Sequence, residues 1–183
     1  MGRSGAGKST LLGVIYRRLA REAALVPQAA SLVRTLSVFH NVYMGQLDRH
    51  SAWRNLAVLV RPRGAVVDEV RGVLAEVGLA DKLHARAGEL SGGQQQRASI
   101  ARALYAGRPV VIGDEPVSAL DRTQGTAVLR RITARHETII LAMHDVPLAL
   151  DFAERIVVLD AGRIALDAPA AALSAGDVMR FYD

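Results

Sequence analysis

Apolar positions along this chain fall into two kinds of run. Val66, Val67, Val70, Val73, Leu74 and Val77 recur at the three-and-four spacing of one helix face, and Gly78 stands where such a helix would stop. Residues 109–113 and 138–143 are instead continuous, β-branched runs, the pattern of buried strands covered by helices on both faces. Residues 23–26 make a shorter strand, and residues 155–160 and 163–166 read as a hairpin turning at Ala161-Gly162. Helices are expected over residues 8–21 and 122–136, and short ones over 168–183. A further helix starts near Gln94, with Ser91 as its cap and Ile100, Ala101 and Leu104 as its apolar face. Strands alternating with helices in this way predict an α/β domain with a mostly parallel sheet.

The pattern is less regular between Ser31 and Gly64. Residues 36–42 read as a loop leading into a helix, and residues 53–60, Trp-Arg-Asn-Leu-Ala-Val-Leu-Val, as an apolar segment with basic ends. Such a segment packs inside a helical subdomain, lies on a membrane or receives a partner helix, and these readings are compatible if only its outer face docks. Pro62 and Gly64 then break the chain.

A length of 183 residues with half of them apolar suits one domain with a small satellite. No apolar run reaches the roughly 18 residues that a spanning helix needs. Cysteine is absent, so disulfides and thiolate metal sites are excluded and a cytoplasmic place is the expectation. The net charge of +5 comes from dispersed arginines, with one local cluster at Arg49, Arg54, Arg61 and Arg63. Aromatic residues are few and no DNA- or RNA-binding motif occurs, so nucleic acid is not an expected partner.

Three motifs carry chemistry. Gly2-Arg3-Ser4-Gly5-Ala6-Gly7-Lys8-Ser9-Thr10 fits the phosphate-cradling loop, in which backbone N–H groups wrap a polyphosphate and Lys8 neutralises its outer charge. Ser9 is the expected Mg²⁺ ligand there, and the helix opening at Lys8 presents its positive end to the anion. Leu90-Ser91-Gly92-Gly93-Gln94-Gln95-Gln96-Arg97 sets two glycines, which let backbone N–H groups approach an anion, before a capped helix. Asp114-Glu115 stands at the carboxyl end of the 109–113 strand, where open α/β sheets bind ligands. Asp114 is the candidate Mg²⁺ carboxylate and Glu115 the candidate general base.

Taken together and in this order, the motifs resemble the ATP-binding cassette (ABC) family, the motor subunits of membrane transporters. The resemblance implies a P-loop NTPase core over residues 1–30 and 105–183, with residues 31–104 forming a helical subdomain that carries the signature motif. ATP and Mg²⁺ would be bound by residues 2–10. Ser91, Gly92, Gly93 and Gln94 would complete the ATP site on a second, head-to-tail copy. Gln28 would reach Mg²⁺ and the attacking water, His144 would contact the γ-phosphate, and Asp121 would communicate across the dimer. Lys8, Gln28, Glu115 and His144 are thus the implied catalytic set, and Ser9, Gln28 and Asp114 the implied metal set. Asp145, next to the histidine, reads as a helix cap. Residues 94–97, 42–53 and 78–82 look most like ATP-binding subunits of phosphonate importers. Implied partners are membrane-embedded permease subunits and, indirectly, a solute-binding protein, with the chain at the cytoplasmic face of the inner membrane. Only Met1 precedes Gly2, and Lys8 and Gln28 stand about twenty residues apart, roughly half the family's usual spacing. The leading strand, an adenine-stacking aromatic and part of the antiparallel strands are therefore expected to be missing, as in an N-terminally truncated cassette. The alternative expectation is a non-catalytic remnant with a binding or scaffolding role. A DNA-repair cassette would need a long heptad insertion between Gln28 and Leu90, and none occurs.

Overall fold

Three parallel strands, in the order β1 (Ala23–Val26), β2 (Val110–Asp114) and β3 (Thr138–Ala142), form the central sheet of the computed structural model, which describes residues 1–182. Leu25 lies opposite Ile112, which lies opposite Ile140, so the strands run in step and end along one edge. The β-branched run of β2 is buried on both faces, as its composition requires. β3 departs from the expectation of a buried strand. Thr138 is exposed and Ile139, Ile140 and Leu141 are only half-buried, because β2 flanks β3 on one side and no strand flanks it on the other among the described residues. β4 (Arg155–Asp160) and β5 (Arg163–Pro169) form a separate antiparallel hairpin. Its turn residues Ala161 and Gly162 both have positive φ, the backbone twist that suits a two-residue hairpin loop. β5 runs on through Ala168 and Pro169, residues expected in a helix, because they pair with Ile156 and Arg155. The expected closing helices shrink to a single 3₁₀ turn over Ala170–Ala172 and α8 (Ala175–Met179), and Asp183 lies outside the described residues.

The helices pack as two layers. α1 (Lys8–Leu19) ends two residues earlier than predicted and lays Leu12, Ile15, Tyr16 and Leu19 on one face of the sheet, against Ala23, Leu25, Val110, Ile112 and Ile140. The larger core lies on the other face. There α5 (Gly92–Ala106), buried from Ala98 to Ala101 and again from Ala103 to Ala106, is sandwiched between the sheet and a helical layer. That layer comprises α2 (Val38–Tyr43), α3 (Ala52–Val60) and α4 (Gly64–Glu76). The predicted valine stripe is the packed face of α4, with Val70, Val73 and Leu74 buried, and Gly78 takes the left-handed φ of +66° just beyond its end. α6 (Arg122–Arg135) adds Val128, Leu129 and Ile132 to this core. α7 (Val146–Phe152) and α8 cover the hairpin, meeting Ile156 and Val158. Among the described residues no helix is long and apolar enough to cross a membrane.

One buried polar side chain fixes the loop that leaves β1. Asn41, fully buried, accepts the Val33 amide at 2.7 Å and donates to the carbonyls of Val33 at 3.1 Å and Ser37 at 3.0 Å. From α5, Arg102 grips the same loop through the Ser31 carbonyl at 2.7 Å. Replacing Asn41 by alanine leaves the Val33 amide without its acceptor and takes one donor each from the Val33 and Ser37 carbonyls, which keep only the Leu36 and Asn41 amides. The Asn41→Ala variant is expected to unfold at lower urea, with a loss of about 1–3 kcal/mol in the unfolding free energy.

Candidate functional site

Because the sheet is parallel, the residues that follow its strands emerge on one edge. Gln28 comes two residues after β1, Glu115 directly after β2 and His144 two residues after β3. Their side chains meet. His144 Nε2 lies 2.5 Å from Glu115 Oε1, and Gln28 Nε2 donates to Glu115 Oε2 at 3.4 Å. The Glu115 side chain is largely covered while that of His144 is well exposed, so the carboxylate sits at the floor of the group and the imidazole at its mouth. Glu115 has a positive φ of 50°, uncommon for a residue with a side chain. Its own amide holds this turn by donating to the Ala142 carbonyl at 3.0 Å, and the Ser118 hydroxyl donates to the Glu115 carbonyl at 3.0 Å. Asp114, half-buried, closes β2 opposite Ala142. Asp145 caps α7 through the Leu148 amide at 2.8 Å, as its position predicted.

The Gly2–Thr10 loop wraps the start of α1. Gly2, Gly5 and Gly7 all have positive φ, which turns successive amides toward one concave face. At Gly2 the requirement is also steric, since a Cβ there would stand 2.1 Å from the Leu159 carbonyl oxygen of β4. Arg3, Ser4, Gly5, Ser9 and Thr10 face solvent, whereas Ala6 and Lys8 are buried. Lys8 Nζ donates to the Gly2 carbonyl at 2.6 Å and the Arg3 carbonyl at 2.9 Å, so the loop's own backbone holds the ammonium. Two ties anchor the loop to the hairpin: the Gly162 amide donates to the Ala6 carbonyl, and Met1 exchanges hydrogen bonds with Val157 and Leu159.

The signature stretch lies elsewhere on the surface. Ser91 Oγ accepts the Gln94 amide and Gln94 Oε1 accepts the Ser91 amide at 3.0 Å, a reciprocal capping box that starts α5 at Gly92, two residues before the expected position. Ser91 and Gly92 are exposed. At Gly93 a Cβ would stand 3.0 Å from the Ala119 carbonyl, so this turn abuts the loop after β2. Asp121 caps α6 through the Gln124 amide at 2.9 Å. Together with Glu115, Ser118, His144, Asp145 and Leu148 it lines a cleft of about 270 Å³.

Two residues join these parts in ways that no motif foretold. Gln96, buried within the signature helix, donates to the Pro116 carbonyl at 3.1 Å and so ties α5 to the corner that carries Glu115. The Tyr182 hydroxyl accepts the Gly2 amide at 3.0 Å, and its ring meets His144 edge-on at 6.3 Å between centroids. Gln96 lies inside the Leu90–Arg97 stretch, but its inward direction is set by helix phase. Tyr182 is 180 residues from Gly2 and carried no signal at all.

The sequence model of the ABC transporter family matches residues 1–118. The chain is 38% identical to the phosphonates import ATP-binding protein of Thiobacillus denitrificans, over all of this chain and 80% of that protein. It is 40% identical to a protein of the same name from Natronomonas pharaonis, over all of this chain and 86% of that one. Among solved structures, it is similar to a dimeric ATP-binding cassette in a post-hydrolysis state with ADP and Pi bound. The TM-score is 0.76 at 24% identity, over 93% of this chain and 83% of that one. It also resembles CbiO1 of Clostridium perfringens, part of the transporter complex CbiONQ, with a TM-score of 0.75 at 22% identity, over 98% and 80% of the two chains.

The Gln96 tie can be tested alone. Gln96→Leu keeps the volume but strips the Pro116 carbonyl of its donor, and is expected to lower the unfolding free energy by about 1–2 kcal/mol in denaturant titration.

Proposed function

This chain belongs to the ABC transporter family as an ATPase, and from that premise we propose that it powers an importer of phosphonate or a related oxyanion. The observation that carries the catalytic reading is Glu115, seated below His144 and Gln28 at the carboxyl edge of the sheet. ATP is the substrate and ADP and phosphate are the products, with water adding to the γ-phosphorus. Glu115 accepts the proton of that water, and Gln28 and His144 hold the carboxylate in place until substrate arrives. His144, the more exposed partner, then turns to the transferring phosphoryl group and stabilises its charge. Lys8 exchanges the Gly2 and Arg3 carbonyls for phosphate oxygens, while the amides of residues 5–10 cradle the rest.

Mg²⁺ fits the donor set. Ser9, Gln28 and Asp114 offer oxygen atoms only, and no cluster of three or more His, Asp or Glu that could hold a metal occurs among the described residues. Such a site suits a hard cation held through one carboxylate, waters and substrate phosphates. Held by Ser9, Gln28 and Asp114, the ion would supply positive charge against the substrate's phosphates.

Further elements of the reading concern assembly. Ser91 and Gly92 face solvent with Gly93 and Gln94 beside them, and in a head-to-tail homodimer they close on the ATP held by the partner's phosphate loop. Asp121, in the cleft beside Glu115, links the two sites. Permease subunits and, through them, a solute-binding protein are the further partners, with the chain bound peripherally at the cytoplasmic face of the inner membrane. The relatives' names support the phosphonate assignment.

Purified chain is expected to bind ATP–Mg²⁺ with an affinity that Lys8→Ala abolishes. Glu115→Gln is expected to keep that affinity and lower turnover at least about a hundred-fold, trapping a dimer. Turnover by Glu115→Gln at the wild-type rate would remove Glu115 from the mechanism. ATP binding without turnover in the wild type would favour a nucleotide-binding scaffold. In the Glu115→Gln background, Ser91→Arg is expected to leave ATP binding intact and keep the protein monomeric by size-exclusion chromatography with ATP. A dimer eluting as before would overturn the shared site. The solute is read by reconstitution with permease and binding protein, where phosphonate rather than inorganic phosphate should stimulate hydrolysis.

A further inference from the structure

The helix α3 is apolar on the wrong side. Asn55, Val58 and Leu59 point inward: Asn55 Nδ2 donates to the Leu47 carbonyl at 2.8 Å, the Tyr43 hydroxyl donates to Asn55 at 2.9 Å, and Val58 is buried. With that face docked, the 3.6-residue turn sends Trp53, Leu56, Ala57 and Val60 outward. The relative exposures are 82% for Trp53, 53% for Leu56 and 78% for Val60. The solvent-facing surface of a helix is ordinarily polar. Here its only charged members are arginines at the flank and the end. Arg54 and Arg61 lie about two turns apart along one border of the stripe, and Arg63 follows in the turn to α4, all exposed. None of these arginines forms an ion pair among the described residues. Between residues 49 and 67 there is no aspartate or glutamate. The preceding acid, Asp48, is paired with Arg108, and the next, Asp68, lies in the second turn of α4.

We propose that this face of α3 is an interfacial anchor that seats in the surface of an anionic lipid bilayer, with Trp53, Leu56 and Val60 entering the headgroup boundary and Arg54, Arg61 and Arg63 meeting lipid phosphates. The charge decides the occupant. An apolar stripe alone would suit another protein as well, but a border of unpaired arginines without acids complements a negatively charged surface. A tryptophan at the end of the stripe supplies the amphipathic ring favoured at the boundary between water and hydrocarbon. The face lies on the helical layer, away from the catalytic group, and the inference does not rest on the ATPase reading.

Trp53 is the only tryptophan in the chain, so its fluorescence reports this surface alone. The full chain is titrated with vesicles of phosphatidylcholine, with and without phosphatidylglycerol, and co-sedimentation is measured in parallel. The expected result is a blue shift of emission and sedimentation with the phosphatidylglycerol vesicles only, both weakened by salt. Arg54→Gln/Arg61→Gln should weaken partitioning about thirty-fold. Leu56→Ser/Val60→Ser should abolish the blue shift. Unchanged circular dichroism and ATP affinity show that each variant is folded. An unshifted emission with the protein left in the supernatant would overturn the proposal and give this face to a protein partner. Equal shifts with both vesicle types, or full binding by the arginine variant, would overturn the anionic-lipid assignment.

Discussion

The parallel register of β1, β2 and β3 is the constraint on which the site depends. Residues distant in sequence share one sheet edge because Val26, Asp114 and Ala142 end their strands at neighbouring levels. Slide one strand by a residue and its side chains move to the opposite face, so Glu115 would lose His144, Gln28 or both. The register is held by burial: β2 has no polar face to offer, and α1 and α5 press on it from both sides. Sheet, flanking helices and the edge that gathers Gln28, Glu115 and His144 are therefore one packing solution, and the unusual backbone angle at Glu115 survives because the Ala142 carbonyl fixes its amide.

Much of this could be read from residue types. Strands with continuous apolar runs, the valine periodicity of α4, the Ser91 cap and the Ala161-Gly162 turn are local features, and local physics determines them. The motifs pointed to the candidate site for the same reason, since a phosphate loop and an acidic pair at a strand end are chemically specific over a few residues. What escaped was long-range. The half-open state of β3 depends on which strands flank it, and Thr138 to Met143 would read the same in the middle of a sheet. β5 was underestimated because Ala168 and Pro169 have no strand propensity of their own and become strand by pairing with β4. Gln96 and Tyr182 act through contacts whose partners stand 20 and 180 residues away, beyond any pattern of spacing.

The helical layer joins the sheet through α5, and this holds the signature turn at several points. Its start is pinned by a capping box, its body by the core, and Gln96 reaches the corner after β2. Arg97 adds a further hold, donating to the Val77 carbonyl at 3.0 Å where α4 ends. A displacement of the outer helices would therefore reach the Glu115 corner through side-chain hydrogen bonds on a single helix.

The hold of Gly2 and Arg3 on Lys8 has a consequence for energetics. A buried ammonium without a counterion would press the loop open, yet here two carbonyl dipoles stand in for the anion. The loop's backbone thus hosts the ammonium without an anion. Were Lys8 to take the proposed phosphate, it would trade one set of oxygen hosts for another, and its own contribution to affinity would be the difference between carbonyl and phosphate rather than the full strength of either bond.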